Sequence, residues 1–170
     1  AVENYKSLLS PDIHGIFPGA RSLVVLAFRE LSNCESGNKS VAAAGRVFSV
    51  GVIDYSTYMV ARLLEKDFQA RAMIPPIGAY PNEFDYENRE RGRLGLVAAV
   101  SLRHAAVAAG LGNFGRNYLV LHPRLGSRVL YSAVITDLAL PPDPPCTEKL
   151  CNGCHQCVES CPASALDGEG

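Results

Sequence analysis

Cysteines near the end of the chain stand at a spacing that suits metal chemistry. Cys151, Cys154, Cys157 and Cys161 form a C-x2-C-x2-C-x3-C run, and Pro162 follows the last of them. This run is the ligand pattern of bacterial iron–sulfur clusters, whose iron atoms bind cysteine thiolates. Four cysteines can also hold zinc, but zinc sites usually use two separated C-x2-C pairs. The spacing therefore predicts a 4Fe–4S cluster rather than a zinc-stabilised structural domain.

The spacing leaves the fourth ligand of that cluster open. In proteins with two clusters, the fourth cysteine of such a run binds the other cluster, and this sequence contains no second run. Either Cys161 completes the cluster, or Cys146 does so from just before the run. Truncation of a second run after "LDGEG" is a further explanation. The sixth cysteine, Cys34, is expected to be a small buried or loop residue.

A second stretch, "AAGLGNFGRN", carries Gly110, Gly112 and Gly115 in a G-x-G-x-x-G pattern. A dinucleotide-binding loop of this pattern follows a strand and opens a helix. Here a helix is expected before the glycines and a strand after them, so this pattern disfavours nicotinamide binding. Two interpretations stay open: a helix C-cap with a tight turn, or a backbone floor for a flat ligand. Three neighbouring residues could donate hydrogen bonds to that ligand: Asn113, Arg116 and Asn117.

Hydrophobic periodicity predicts a mixed fold of helices and strands. The apolar run at residues 23–28 is typical of a buried strand, and apolar residues at three-to-four spacing over 53–72 predict an amphipathic helix. An alanine-rich helix is expected over 101–109. Two β-rich runs flank the "HPRLGS" turn and predict a hairpin or two neighbouring strands.

Composition also predicts the loops and a domain boundary. Residues 31–40 are polar and predict a loop, and residues 75–92 predict a long irregular connection. The proline-rich stretch 138–145 is expected to end the main domain. We therefore expect an α/β (α+β) sheet-and-helix domain over residues 1–140 and a small cysteine-rich segment over residues 141–170.

Charge and cysteine usage restrict the classes of partner. The chain has 170 residues, of which 48% are hydrophobic, and a formal net charge of −1. This balance favours neither nucleic acid nor a membrane surface. The longest apolar runs are too short to cross a bilayer, and the first residues lack a secretory signal. Crowding of five cysteines into one short segment favours metal binding in a reducing compartment, so we expect a cytoplasmic protein.

Four motifs, in their order along the chain, are similar to those of a known family. They are "FPGARSLVVLAF", "DYSTYMVARLLEKDF", "AAVAAGLGNFGRNYLVLHPRLGSRVLYSAVITDLAL" and "CNGCHQCVESCPASAL". These motifs resemble epoxyqueuosine reductase and its relatives, including the catalytic part of reductive dehalogenases. The resemblance implies a nitroreductase-like fold that binds cobalamin, followed by a ferredoxin-like cluster segment. It also implies that electrons pass from the cluster to cobalt and then to a substrate, with the glycine loop against the corrin.

The same resemblance suggests residues for proton transfer. Asp54 and Tyr55, in a matching "DY", are candidates on the substrate side, and a helix N-cap with a packed tyrosine is the structural alternative. The tRNA-modifying enzymes have an acidic residue thought to be a proton donor before the alanine-rich helix. The corresponding stretch here, "AAVSLRHAA", contains no acid.

The resemblance finally suggests partners. We expect a small-molecule or modified-nucleoside substrate, an electron donor protein and a possible homodimer, without a membrane partner. Flavin is the alternative to cobalamin as the cofactor. A non-catalytic ferredoxin-like electron carrier or corrinoid carrier is the alternative to an enzyme.

Overall fold

The computed structural model describes residues 13–75 and 100–166 of the chain. Over these residues, helices pack on both faces of a small antiparallel sheet. The elements in chain order are α1 (Ile13–Ile16), β1 (Ser22–Arg29), a 3-10 helix (Ser32–Glu35), α2 (Lys39–Asp67), β2 (Ala72–Met73), α3 (Leu102–Ala108), β3 (Asn113–Phe114), β4 (Val120–Leu121), β5 (Val129–Thr136) and α4 (Gln156–Glu159). The predicted mixed helix-and-sheet fold class is confirmed.

Strand β5 lies at the centre of the three-stranded sheet, between β1 and β2, and both neighbours run antiparallel to it. Ser22 pairs with Thr136, and Arg29 pairs with Val129. The residues of β5 from Tyr131 onward are all buried. A strand that is covered on both faces does not alternate between apolar and polar residues, which explains the run "YSAVIT".

Side chains of β5 point alternately to two packed faces. On one face, Val134 packs with Ala61 and Leu64 of α2. On the other face, Ile135 packs with residues of α1 and α3, and Tyr131 packs with Ala106 of α3. The sheet therefore anchors α3, and with it the start of the glycine-containing stretch that follows.

Helix α2 begins at Lys39 and ends at Asp67, so the helix predicted over 53–72 was wrong at both ends. The Asn38 side chain accepts hydrogen bonds from the backbone N–H groups of Ser40 and Val41, at 3.0 and 3.3 Å. Such a cap satisfies N–H groups that have no partner within the helix. The predicted loop over 31–40 therefore contains a cap and a 3-10 helix, and residues 72–73 join the sheet as β2.

The outward face of α2 is apolar. Its exposed large hydrophobic residues are Val41, Val47, Phe48, Val52, Tyr55, Tyr58, Met59 and Leu63. By length and composition, α2 meets the criterion for a membrane-spanning helix. The core helix of a soluble protein meets the same criterion but is mostly buried, whereas 28% of the apolar window of α2 is buried; Ile53 and Thr57 lie on its buried face. The expected absence of a membrane partner stays a prediction.

A buried polar contact joins α2 to β5. The Thr57 and Ser132 hydroxyl oxygens lie 2.6 Å apart, and the Thr57 hydroxyl lies 2.7 Å from the Ile53 carbonyl oxygen. Thr57 and Ser132 are both fully buried. Because a threonine hydroxyl carries one hydrogen, Thr57 donates to Ile53 when Ser132 donates to Thr57.

Replacing Thr57 with valine is expected to lower the free energy of unfolding by about 1–3 kcal/mol, because it leaves the buried Ser132 hydroxyl without its partner. The double variant Thr57→Val/Ser132→Ala should lose less free energy of unfolding than the two single variants together, since both partners of the contact are then removed. Urea unfolding followed by circular dichroism measures both values. Thr147→Val, at an exposed position, is the matched control. Strict additivity of the two buried changes would contradict the coupling.

The hairpin or pair of neighbouring strands predicted about "HPRLGS" forms only in part. Strand β4 pairs with β3 in a separate ribbon, while β5 pairs with β1 and β2. One bridge, between His122 and Gly126, closes the turn. The physical reason is a local turn that brings β4 to β3: the Gly115 N–H donates to the Leu119 carbonyl oxygen and the Tyr118 N–H to the Gly115 carbonyl oxygen, both at 2.9 Å.

Other elements follow the prediction more closely. The strand expected at residues 23–28 is β1, and the helix expected at 101–109 is α3 with Ser101 at its N-cap position. Residues 138–145 form an extended connector without regular secondary structure. The long connection predicted at 75–92 lies outside the described residues, apart from Pro75.

Candidate functional site

The glycine loop, residues 110–117, leaves the C-terminal end of α3 and packs closely on other parts of the chain. Gly110 has a φ of 74°, in the left-handed region that favours glycine. A Cβ on Gly110 would lie 2.1 Å from the Pro144 carbonyl oxygen, and one on Gly112 would lie 2.0 Å from the Leu121 carbonyl oxygen. Close approach of the backbone therefore requires glycine at both positions, as the interpretation of a helix C-cap with a tight turn predicts. Ligand binding by these glycines stays a prediction.

The second half of the glycine loop is a turn held by its own polar groups. A Cβ on Gly115 would lie 2.9 Å from Oδ1 of Asn117. The same Asn117 oxygen accepts a hydrogen bond from the Leu119 backbone N–H at 3.1 Å. Asn117 thus stabilises the turn between β3 and β4, and its role as a ligand donor stays a prediction.

Asn113 ties the glycine loop to the cysteine segment, residues 146–161. Its side-chain N–H group donates to the carbonyl oxygens of Cys146, at 3.1 Å, and Glu148, at 3.0 Å. Each of these two bonds joins residues that are more than thirty positions apart in the sequence. They fix the start of the cysteine segment against the loop that follows α3.

Arg116 makes the next contact between the two parts. Its backbone N–H hydrogen-bonds to the Cys151 thiol, as does the N–H of Gly153, and both bonds lower the pKa of Cys151. Its Nη1 atom lies 3.0 Å from Nδ1 and 2.9 Å from Nε2 of His155. The positively charged guanidinium therefore lies within the loop that carries the predicted cluster ligands.

Backbone N–H groups also surround the last thiol of the run. The Ala165 N–H donates to Sγ of Cys161 at 3.4 Å. Hydrogen bonds from Ala165, Ala163, Leu166 and Ser164 lower the pKa of Cys161, against a smaller effect of burial. Such donors stabilise a thiolate, which is the form that binds iron.

The chemistry of the donors in the cysteine segment suits an iron–sulfur cluster, since cysteine thiolates are the usual ligands of its iron atoms. Among residues 13–75 and 100–166, no three His, Cys, Asp or Glu side chains form a group that could hold a metal ion. N–H groups aimed at Cys151 and Cys161 suit cluster thiolates, since hydrogen bonds to the sulfurs help to set cluster potentials.

A cleft of about 410 Å³ lies between the glycine loop and the cysteine segment. Its walls combine an aromatic ring, amides, two cations and a predicted cluster ligand. The lining residues are Asn113, Phe114, Arg116, Glu148, Lys149, Leu150, Cys151, Asn152 and Gly153. A small cofactor or part of a larger one can bind there next to Cys151.

Asp54 and Tyr55 lie elsewhere. Both are exposed in the middle of α2, and Tyr55 is 66% accessible. The structural alternative for this pair, a helix N-cap, was wrong because Asn38 caps the helix. Neither residue lines the cleft, and their role in proton transfer stays a prediction.

Of the cleft lining, only Asn113, Arg116 and Cys151 were predicted from the sequence; the residues that were missed in and beside the cleft include Phe114, Lys149 and His155. Phe114 is part of β3, and Lys149 precedes the cysteine run by two positions. His155 has a φ of 59° and contacts the Arg116 side chain. Lys149 could have been found from its nearness in sequence to Cys151. Nothing local indicated the other two.

Comparison with known proteins supports the assignment of the cysteine segment. A family described as "4Fe-4S binding domain" matches residues 147–167. This range includes Cys151, Cys154, Cys157 and Cys161 and begins just after Cys146.

Relatives with a known name agree with the resemblance in the motifs. An epoxyqueuosine reductase of Bacillus cereus is 28% identical over 182 residues, covering 96% of this chain and 42% of the relative. A tetrachloroethene reductive dehalogenase of Desulfitobacterium hafniense is 42% identical over 67 residues, covering 38% of this chain and 12% of the relative.

The fold also has a counterpart among solved structures. A crystal structure of an epoxyqueuosine reductase with an epoxyqueuosine-modified tRNA-Tyr stem loop superposes with a TM-score of 0.65 at 21% identity. The match covers 96% of this chain and 43% of the other. The chain thus spans less than half the length of the epoxyqueuosine reductases that it matches. Its sequence is related to epoxyqueuosine reductases and reductive dehalogenases, it shares the fold of the former, and its cysteine run lies in a 4Fe–4S binding domain.

Proposed function

We propose that this chain is the redox part of a reductase in which four cysteines, Cys151, Cys154, Cys157 and Cys161, hold a 4Fe–4S cluster and the adjacent cleft binds a corrinoid. In this proposal the four cysteines would hold a cluster that would supply electrons, and Phe114, Asn152 and Arg116 would hold a corrinoid whose cobalt would supply the reducing chemistry. The observation that supports it is the contact between the two motifs: Asn113 and Arg116 bind the cysteine segment, and Cys151 lines the cleft. Electron transfer between a cluster and a corrinoid requires that the two groups lie close together.

The residues of the cleft suit a corrinoid by shape and hydrogen bonding. Phe114 offers a partly exposed ring to a flat macrocycle. Asn152 and Arg116 line the same cleft and carry N–H donors that match the amide side chains around a corrin. The cleft accommodates part of the cofactor, and the chain's task is to position it and exclude water.

For the substrate we propose a modified nucleoside, with a proton donor other than the acid of the tRNA-modifying enzymes, because "AAVSLRHAA" contains none. The epoxyqueuosine reductase of Bacillus cereus aligns with almost the whole chain, whereas the dehalogenase alignment covers 38% of it. Electron acceptance by an epoxyqueuosine-containing tRNA stem loop, compared with tetrachloroethene, tests this choice. We also propose that the protein is cytoplasmic and receives electrons from a separate donor protein. We place the boundary between the main domain and the cysteine-rich segment at residues 140/141. The hydrogen bonds of Asn113 join the two sides of this boundary.

Titration of the anaerobically prepared protein with hydroxocobalamin is expected to shift the visible bands of the cofactor and to saturate near one equivalent. Phe114→Ala should weaken this binding about fivefold to tenfold, the loss of roughly 1–1.5 kcal/mol of ring contact. Phe48→Ala, which removes an exposed ring from the outward face of α2, should leave the affinity unchanged.

Three results would decide against parts of the proposal. Zinc in place of iron and sulfide would support a structural domain. Iron and sulfide without any corrinoid binding would favour a ferredoxin-like carrier. Binding of flavin mononucleotide in place of hydroxocobalamin would make the cleft a flavin site.

A further inference from the structure

Arg116 is placed to act on the electronic state of a cluster that it does not ligate. Its Nη1 atom lies 2.9–3.0 Å from both ring nitrogens of His155, the residue after Cys154, and its backbone N–H lowers the pKa of Cys151. The side chain is partly buried at the wall of the cleft. One residue of the glycine loop thus brings both a hydrogen-bond donor and a full positive charge to the cysteine segment.

The charge of Arg116 has a defined electrostatic effect. A guanidinium stays protonated at all accessible pH values, and reduction adds one negative charge to a cluster. A nearby cation therefore favours the reduced form, more so where partial burial limits screening by salt. Lys149 adds a second cation close to Cys151. Hydrogen bonds to cluster sulfurs act in the same direction.

We infer that Arg116 is a positioning residue that raises the reduction potential of the cluster and holds the cysteine segment against the glycine loop. The inference rests on the proposed 4Fe–4S site. It assigns the glycine loop a part in setting the potential of a cluster more than thirty residues away in sequence.

The test compares three variants of the full chain after anaerobic cluster reconstitution: Arg116→Gln, Arg116→Lys and Arg103→Gln. Arg103 is the matched control, because its Nη1 donates to the Tyr118 carbonyl oxygen at 2.8 Å and so also binds next to the glycine loop. Bound iron and sulfide are assayed, and the reduction potential is measured by dye-mediated titration. At the midpoint potential of the unmodified protein, Arg116→Gln should shift the ratio of oxidised to reduced cluster threefold to tenfold toward oxidised, tenfold being about 59 mV for one electron. Arg116→Lys should shift it less, and Arg103→Gln should leave it unchanged.

Each outcome decides the inference. A loaded Arg116→Gln protein with an unchanged potential overturns it, even if the variant is less stable. If Arg116→Gln holds no cluster while Arg116→Lys does, the charge is required to hold the cysteine segment, which supports that part of the inference, and a potential of the Arg116→Lys cluster above that of the unmodified protein overturns the other part. If neither variant holds a cluster while Arg103→Gln does, Arg116 is a structural residue and the inference fails. An unmodified protein without any cluster refutes the proposed function instead.

Discussion

Gly110→Ala is expected to destabilise the protein by about 2–5 kcal/mol, a large effect for the addition of one methyl group. The new Cβ would lie 2.1 Å from the Pro144 carbonyl oxygen, and residue 110 would keep a φ of 74°. Backbone cannot rotate away as a side chain can, so the connector must shift. Urea unfolding measures the loss of stability. Iron content after reconstitution measures whether displacement of the connector also disturbs the cysteine segment.

Two other glycines separate the causes of that effect. Gly126 has a φ of 63° with no atom near its Cβ position, so Gly126→Ala should cost only the left-handed conformation, about 1–2 kcal/mol. Gly51 lies within α2 with open space around it, so Gly51→Ala should stabilise by about 0.5–1 kcal/mol. Equal losses for Gly110→Ala and Gly126→Ala would show that the contact with Pro144 is unimportant.

Single serine replacements in the cysteine run are expected to reduce bound iron to less than about a tenth, because a hydroxyl is a poor substitute for a thiolate ligand. We expect this loss of iron for a serine at each of four positions: Cys151, Cys154, Cys157 and Cys161. Reconstitution under argon, followed by iron and sulfide assays and the visible spectrum, gives the result directly.

Cys146→Ser serves as the control and decides the fourth ligand. We expect it to retain the cluster, since the 4Fe–4S domain match starts after Cys146 and several N–H groups surround the Cys161 thiol. Loss of iron in Cys146→Ser together with its retention in Cys161→Ser would reverse this assignment.

Local signals predicted the elements whose cause is local. The run at residues 23–28 is β-rich, and α3 has alanines with a glycine beyond its end, so both could be found from the sequence. The start of α2 could not, because Gly45 and Gly51 interrupt the helical pattern after its first alanines. The pairing of β4 with β3 was also missed, since the "HPRLGS" turn favoured β5 as its partner, whereas the turn at residues 115–118 places β3 beside β4.

The candidate site likewise has features with a local cause, which the sequence predicts, and features that depend on distant parts of the chain. The cysteine ligands are recognisable because their spacing alone lets a short loop surround a cluster. Whether a glycine faces a ligand or the chain depends on what passes nearby, and Pro144 and Leu121 come from outside the loop. The contact of Arg116 with Cys151 likewise depends on the fold bringing distant segments together.

The register of β1 against β5 has a consequence for how this protein is made. Ser22 pairs with Thr136 and Arg29 with Val129, so the first long strand waits for a partner synthesised about 100 residues later, a high contact order that slows folding. At about 5–20 residues per second, translation leaves that strand edge unpaired for roughly 5–20 s. During this interval the nascent chain exposes an apolar edge open to aggregation, and chaperone binding at the ribosome would be most useful then.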